Sequence, residues 1–283
     1  MANRQFDVFR DKNIWITGAS SGIGEALAYE LAKRGARLIL SARNMEGLKR
    51  VRNACCNPES IILLQVDLEQ TELIQPKAEQ VLQQYGFIDF LFNVAGIAAR
   101  DAAMQTKLQV DQKIMNINYF GTIALTKAVL PGMIIKGSGH IVTVTSVAGK
   151  YGLPMLSAYA ASKHALHGFF DSLRSELDKK NIRITLIVPG AVNTPITRNA
   201  ITGNGENFGK MLQIQRDGLA PGRCAVRILN AVSRGRQEAV IGGVEESFTL
   251  FLKKFFPGYF TTFIRNHPLK KWRKIKKSLT FKR

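Results

Sequence analysis

The chain has 283 residues, of which 46% are hydrophobic, and this length and composition allow one large globular domain or two small ones. Its formal net charge is +19, but residues 247–283 hold 11 Lys and Arg and no acidic residue, so most of the charge lies in one terminal segment. This distribution indicates a compact domain with a basic appendage, and it argues against a uniformly basic nucleic-acid binder.

The cysteines and the amino terminus indicate the compartment. Cys55, Cys56 and Cys224 have no metal-ligand spacing, so we expect free thiols in a reducing compartment and no metal site. Residues 1–13 are too polar for a signal peptide. We therefore expect a cytoplasmic protein that is not secreted.

Short apolar runs alternate with helix-like segments along the chain. The predicted strands are NIWIT (13–17), RLILSA (37–42), SIILLQV (60–66), FIDFLFNVAG (87–96), GHIVTVTS (139–146) and IRITLIVPG (182–190). The predicted helices include one ending at Arg34 and others near 71–84, 111–130 and 155–179. The alternation predicts a Rossmann-type, doubly wound α/β fold with a parallel sheet of about seven strands and helices on both faces. No linker interrupts it, so we predict one domain over 1–246 and an extension over 247–283.

The sequence TGASSGIG follows the first predicted strand and opens a helix. Glycines permit a tight turn close to a ligand, and the helix that follows presents unpaired N–H groups to a pyrophosphate. A purely conformational turn is the alternative, but this position between strand and helix favours nucleotide binding. The residues expected to hold the cofactor here are Thr17, Gly18, Ser20, Ser21, Gly22, Ile23 and Gly24.

Two tyrosines stand four residues before a lysine, at Tyr29–Lys33 and Tyr159–Lys163. That spacing stacks both side chains on one helix face, where an ammonium lowers the pKa of a phenol. Tyr29 lies on the helix that leaves the glycine turn, away from any reacting group. We interpret the first pair as chance, with a packed tyrosine and a solvated lysine.

The ends of the second and third strands are predicted to meet the adenosine. An NAD enzyme normally places a carboxylate after the second strand, whereas this chain has Ala42 and Arg43, and Arg43 suits a ribose phosphate. We therefore expect NADP(H) in preference to NAD(H), unless Arg43 is an ordinary surface residue. Asp67 is placed to meet the adenine or, alternatively, to cap a helix.

Six features in order carry a family resemblance. They are the glycine turn, NVAG at 93–96, Asn118, Ser146, YAASK at 159–163 and PGAVNT at 189–194. Together they resemble the short-chain dehydrogenase/reductases. The segments TGASSGIG, LSARN and LTKAVLP are most similar to the hydroxysteroid dehydrogenase-like branch, which includes the dehydrogenase/reductase family members.

The resemblance implies a role for each of four residues. Tyr159 would be the general acid in carbonyl reduction and the base in alcohol oxidation. Lys163 would lower the pKa of Tyr159 and bind the nicotinamide ribose. Ser146 would hold the substrate oxygen, and Asn118 would anchor a water in a proton relay.

The resemblance also implies further cofactor contacts and an assembly. The contacts are Leu68, Asn93, Ala95, Gly96, Pro189, Gly190, Val192 and Thr194, and the assembly is a homo-oligomer, either a dimer or a tetramer. Two positions depart from the family pattern. Val94 replaces the second asparagine of NNAG, so we expect altered sheet hydrogen bonding, and Ser21 stands where many NADP-preferring members have a basic residue.

The two remaining segments suggest a lid and a membrane contact. Residues 193–218 are polar with scattered apolar side chains, which suits a substrate lid. In the tail, aromatic residues at helical spacing precede clustered Lys and Arg, with Pro257 interrupting the run. This pattern predicts peripheral association with an anionic membrane on its cytoplasmic face, or packing of the aromatic part on the domain.

The predicted function is an NADP(H)-dependent oxidoreductase that interconverts a carbonyl and an alcohol on a small lipophilic substrate such as a steroid, a retinoid or another lipid. One alternative is a 3-oxoacyl thioester reductase of lipid synthesis. Another is a catalytically silent nucleotide-binding protein, which would be expected to lack Tyr159 or Lys163. No recognition motif supports nucleic-acid binding.

Overall fold

A computed structural model describes residues 7–266 of the chain. Seven parallel strands form one sheet in the order β3-β2-β1-β4-β5-β6-β7. They are β1 (Asn13–Thr17), β2 (Arg37–Ala42), β3 (Ile61–Gln65), β4 (Phe90–Asn93), β5 (Gly139–Val144), β6 (Ile182–Pro189) and β7 (Glu238–Ile241). This order confirms the predicted doubly wound fold.

Helices cover both faces of the sheet. They are α1 (Gly22–Lys33), α2 (Met45–Asn53), α3 (Ile74–Tyr85), α4 (Leu108–Met115), α5 (Gly121–Lys136), α6 (Ser157–Glu176), α7 (Gln213–Arg216) and α8 (Pro221–Ser233). Alternate strand residues enter two cores: Ile14 and Ile16 pack with α1 and α8, and Trp15 packs with α3, α5 and α6. The period of two along each strand supplies both cores at once.

The strand order reverses between β1 and β4, which places a crevice at the carboxyl ends of these two strands. The predicted strand 87–96 is shorter than expected and ends at Asn93. Beyond it, the backbone N–H groups of Val94 and Ala95 donate to the Thr17 hydroxyl, at 3.0 and 3.1 Å. The chain therefore leaves the sheet in order to contact the end of β1.

The predicted helix near 111–130 consists of three pieces. Helices α4 and α5 are joined by a π-helical turn over Asn116–Phe120, in which Asn118 is fully buried. An i→i+5 turn inserts one residue into a helix and shifts the side chains that follow. This shift lies beside the crevice.

The chain divides into two compact units, residues 1–242 and 243–283. The described part of the second unit contains α9 (Val244–Phe255) and α10 (Pro257–Asn266). The predicted basic cluster near the carboxyl terminus lies outside the described residues. Across residues 7–266, no helix has the length and apolar character needed to cross a membrane.

Candidate active site

The glycine turn lies against the NVAG segment. Gly18 adopts φ +67°, which favours glycine, and a Cβ on it would lie 2.8 Å from the Cα of Ala95. The Thr17 hydroxyl, which accepts from Val94 and Ala95, ties the two segments together. The turn is therefore held at the crevice between β1 and β4.

The amino terminus of α1 follows this turn with open donors. Ser21 occupies the N-cap position without a side-chain cap, so the first N–H groups of the helix are available to an anion. A Cβ on Gly22 would lie 3.0 Å from Cγ2 of Thr194, which brings the 189–194 segment to the same place. Ser20 and Ile23 are partly exposed in this region. The arrangement suits a pyrophosphate.

Side chains of β5, α5, the π-helical turn and α6 lie against the NVAG segment. The Asn93 amide donates to the hydroxyls of Thr126 and Thr143, at 3.1 and 3.4 Å, and its oxygen is buried without a hydrogen-bond partner. A Cβ on Gly96 would lie 3.1 Å from Oδ1 of Asn118 and 3.4 Å from Nζ of Lys163. Gly96 therefore adjoins two of the predicted catalytic residues.

The ends of β2 and β3 border a pocket of about 300 Å³. Arg43 and Asp67 line this pocket together with Lys77 of α3, which the sequence did not single out. Asp67 also accepts the backbone N–H of Glu69 at 3.0 Å, so its carboxylate caps a turn as well. Leu68 is buried next to it. No local pattern marks Lys77, since only the fold brings α3 to these strand ends.

Ser146, Tyr159 and Lys163 come together at the end of β5. Ser146 follows β5 and starts a 3-10 turn, while Tyr159 and Lys163 lie on the first two turns of α6. Lys163 is 4% exposed and its ammonium donates to the Val144 carbonyl at 3.0 Å. The distance from its Nζ to the centroid of the Tyr159 ring is 5.8 Å.

Burial shifts the pKa values of both Tyr159 and Lys163. It raises the pKa of Tyr159, whereas the hydrogen bond with the Ser146 side chain lowers it. Burial lowers the pKa of Lys163 to about 8. Burial outweighs the Ser146 hydrogen bond, so the pKa of Tyr159 lies above its ordinary value.

Asn118 fixes the loop after NVAG. Its amide oxygen accepts the N–H of Ile97 at 2.8 Å, and its amide nitrogen donates to the Ile97 carbonyl at 2.9 Å and to the Ser162 hydroxyl at 3.0 Å. Ser162 directly precedes Lys163 on α6. Asn118 thus links the π-helical turn, the NVAG loop and the helix that carries Tyr159.

The first Tyr–Lys pair has no such surroundings: as predicted, Tyr29 packs against the core and Lys33 is solvated. The Tyr29 hydroxyl donates to Glu25 at 2.7 Å, and burial raises the pKa of Tyr29 to about 12. Lys33 is exposed and pairs with Glu30 at 2.9 Å. Glu25 also accepts two bonds from Arg50 of α2, another residue that the sequence did not single out.

The chain after β6 forms a loop over residues 193–218, which is the predicted lid. Pro189 ends β6, and the N–H of Gly190 donates to the Ile241 carbonyl at 3.1 Å. Val192 bridges Leu219, so the two ends of the predicted lid meet. The middle of the lid is anchored where Ile201 pairs with residues of the loop after β4. Its base therefore lies beside Thr194 and the glycine turn.

A parallel sheet with a glycine turn at its switch point, and a serine, tyrosine and lysine beside it, defines a dinucleotide-dependent oxidoreductase. The chain matches the short chain dehydrogenase family over residues 12–205, and it belongs to this family. It is therefore an NAD(P)-dependent oxidoreductase.

Similar proteins agree with this assignment. A dehydrogenase/reductase SDR family protein 7-like from Anopheles gambiae is 41% identical over 88% of this chain and 80% of its own length. Dehydrogenase/reductase SDR family member 7B from Xenopus tropicalis is 38% identical over 95% and 89%. The crystal structure of levodione reductase, 26% identical, superposes with a TM-score of 0.75 over 84% of this chain and 99% of its own. The predicted family branch is confirmed.

Proposed function

We propose that the protein interconverts a carbonyl and an alcohol on a lipophilic substrate, with NADP(H) as cofactor and Tyr159 as the acid/base. The observation that carries this proposal is the convergence of Ser146, Tyr159 and Lys163 beside the glycine turn. Each of these side chains alone has an ordinary structural explanation. Their meeting at the carboxyl edge of the sheet favours chemistry.

The cofactor fits the residues present. The uncapped start of α1 and the glycine positions suit its pyrophosphate, and Arg43 and Asp67 suit its adenosine. Asn93, Ala95, Gly96, Lys163 and the 189–194 segment would hold the nicotinamide half. When bound, the cofactor supplies or accepts a hydride.

The side chains of this chain would manage the proton and the substrate oxygen. Tyr159 would give a proton to that oxygen during reduction and take one from it during oxidation. Ser146 would donate a hydrogen bond to the same oxygen, where negative charge develops. Lys163 would stabilise the tyrosinate by its positive charge, and its ammonium would hold the nicotinamide ribose. Asn118 would fix the position of α6, which carries Lys163, relative to the loop after NVAG.

The preference for NADP(H) follows from the end of β2. Ala42 replaces the expected carboxylate, and Arg43 is exposed. Within residues 7–266, the Arg43 guanidinium has neither an ion pair nor a hydrogen bond. Lys77 lines the same pocket and adds a second positive charge. Two cations and one carboxylate around the pocket favour a ribose that carries a phosphate.

A lipophilic substrate is the interpretation that suits the lid and its neighbours. Ile201 of the lid packs on Ala99, Val110 and Ala158, and Ala158 directly precedes Tyr159. A 3-oxoacyl thioester reductase is the second candidate, since a basic surface suits an acidic carrier protein. Following NADPH oxidation with ketosteroids, retinal, 3-oxoacyl thioesters and simple aldehydes separates these candidates. Oxidation with none of them would favour the catalytically silent alternative.

The mechanism is tested by replacing Tyr159. The Tyr159→Phe variant should bind cofactor as the wild type does and lose about 10²- to 10⁴-fold in turnover, because the proton donor is removed. Tyr85→Phe is the matched control. It removes the same hydroxyl from the last residue of α3, whose carbonyl accepts from Asn13 at the amino end of β1, so its turnover should be close to the wild-type value. Turnover of Tyr159→Phe within tenfold of the wild-type value would exclude Tyr159 as the acid/base.

We further propose that the second unit binds an anionic membrane on its cytoplasmic face. The supporting observation is that Phe248, Phe251, Phe255 and Tyr259 are each at least half exposed. Lys253 and Lys254 lie among these rings, and no acidic residue follows Glu246. Aromatic side chains with lysines suit the membrane interface.

As in the family, we expect the protein to be a homo-oligomer, either a dimer or a tetramer.

A further inference from the structure

Arg50 forms an ordered contact with the glycine turn. Its Nη1 and Nη2 atoms donate to the two carboxylate oxygens of Glu25, at 2.6 and 2.8 Å, and Nη2 also donates to the Ser20 carbonyl at 3.1 Å. The Tyr29 hydroxyl holds the same carboxylate at 2.7 Å. Glu25 and Tyr29 therefore fix a guanidinium against a turn that has no basic residue of its own.

This guanidinium lies against Ser20 of the glycine turn, on the helix that follows the end of β2. The pyrophosphate site is the turn that begins α1, and the ribose site is the end of β2. The first residues of α2 connect these two places. Asn44 caps α2 by accepting the N–H of Gly47 at 3.0 Å, and a Cβ on Gly47 would lie 3.0 Å from Cβ of Ser20. Arg50 stands one helical turn further along α2.

Some hydrogen-bond donors of Arg50 remain unused. A guanidinium has five N–H donors, and the three bonds to Glu25 and Ser20 use three of them. The side chain is 57% exposed, so its remaining donors face solvent. A phosphate accepts several such bonds from one planar guanidinium.

We propose that Arg50 is a specificity-determining residue that binds the ribose phosphate of NADP(H) together with Arg43. In this arrangement Glu25 and Tyr29 are positioning residues, since they act through Arg50. The proposal rests on the proposed NADP(H) preference, and it adds a third cation, from the side of the glycine turn, to Arg43 and Lys77.

The test compares dissociation constants of NADPH and NADH by titration calorimetry with the full chain. Arg50→Gln should raise the Kd of NADPH about tenfold more than that of NADH, because a charge-assisted bond to the ribose phosphate is lost. Arg50→Lys should recover part of this difference. Lys49→Gln is the control, since it removes one charge from the adjacent residue, which pairs with Glu46 instead.

A double variant separates recognition from simple repulsion. Arg50→Gln leaves the Glu25 carboxylate without its cation near the pyrophosphate site, which weakens the binding of both cofactors. In Glu25→Gln/Arg50→Gln this carboxylate is neutral, so the Kd of NADH should return to the wild-type value while that of NADPH stays raised. Equal Kd changes for the two cofactors in the double variant would overturn the role of Arg50.

A wrong NADP(H) preference gives a different result from a wrong role for Arg50. If the wild type binds NADH as tightly as NADPH, the NADP(H) preference itself is wrong, and the role of Arg50 is wrong with it. If Arg43→Gln abolishes the preference and Arg50→Gln does not, the preference stands and only Arg50 is excluded.

Discussion

The buried ammonium of Lys163 destabilises the folded protein when it is charged. Lys163 is 4% exposed, and burial lowers its pKa to about 8 from an ordinary 10.5. Between these values the unfolded chain binds more protons than the folded chain, so the free energy of unfolding rises with pH across this window. Below pH 8 the folded chain bears the whole cost of the charge, which is on the order of 3 kcal/mol.

Replacing Lys163 by methionine should therefore stabilise the protein while inactivating it. At pH 7, without cofactor, Lys163→Met should raise the free energy of unfolding by about 1–2 kcal/mol, because the relief of the buried charge exceeds the lost bond to Val144. Urea denaturation at pH 7 measures the gain, which should shrink toward pH 10.5.

The control is Lys33→Met, because Lys33 is 60% exposed on α1. Its effect should stay within about 0.5 kcal/mol at both pH values. A loss of stability in Lys163→Met at pH 7 would contradict the assigned cost of the charge.

At the scale of elements, the π-helical turn between α4 and α5 depends on one side chain. Asn118 makes three hydrogen bonds, two to Ile97 and one to Ser162, and is fully buried. Asn118→Ala should lower the free energy of unfolding by about 2–4 kcal/mol, since it leaves buried backbone groups without partners.

Asn116→Ala offers a matched comparison in the same turn. Asn116 is exposed, so its replacement should change the free energy of unfolding by less than about 0.5 kcal/mol. Urea denaturation of both variants makes the measurement. If the two variants unfold alike, the bonds of Asn118 do not hold this turn.

The sequence predicts elements well where the pattern is local. The buried strands read directly as apolar runs, and the glycine turn was recognised from its place between a strand and a helix. Strand β7 is not among the predicted strands, because Glu238–Ile241 has only four residues and lacks the apolar run of the central strands. The π-helical turn also escaped, since its extra residue depends on contacts with Ile97, which lies in another loop.

The same distinction applies to the site. Tyr159, Lys163 and Ser146 were found because their order and spacing carry a known pattern. Arg50 and Lys77 carry none, because each reaches the crevice only through the packing of its helix. The direction of the Tyr159 pKa also needed the structure, since it depends on burial.

At the scale of the whole molecule, the charge of the tail predicts a test of membrane binding. Deleting residues 247–283 should release the protein from vesicles that contain anionic lipid, because the deletion removes 11 positive charges and the exposed rings. Flotation with vesicles of phosphatidylcholine and phosphatidylserine measures binding, and raised salt should weaken that of the full chain.

A full-length variant serves as the second arm. Phe251→Ser/Phe255→Ser keeps every charge and removes two exposed rings, so it should bind more weakly than the wild type and more tightly than the deletion. Neutral vesicles are the control surface. Undiminished binding of the deletion variant to anionic vesicles would remove the tail from consideration.

The uncapped start of α1 links the survival of the enzyme to its supply of nucleotide. Donors without a cap cost stability until an anion meets them. A ligand at a hundred times its Kd stabilises the folded chain by about 2.7 kcal/mol, which lowers the unfolded fraction about a hundredfold. Proteases in a cell act on that fraction. A cell depleted of the cofactor would therefore lose the enzyme by degradation as well as by lack of turnover.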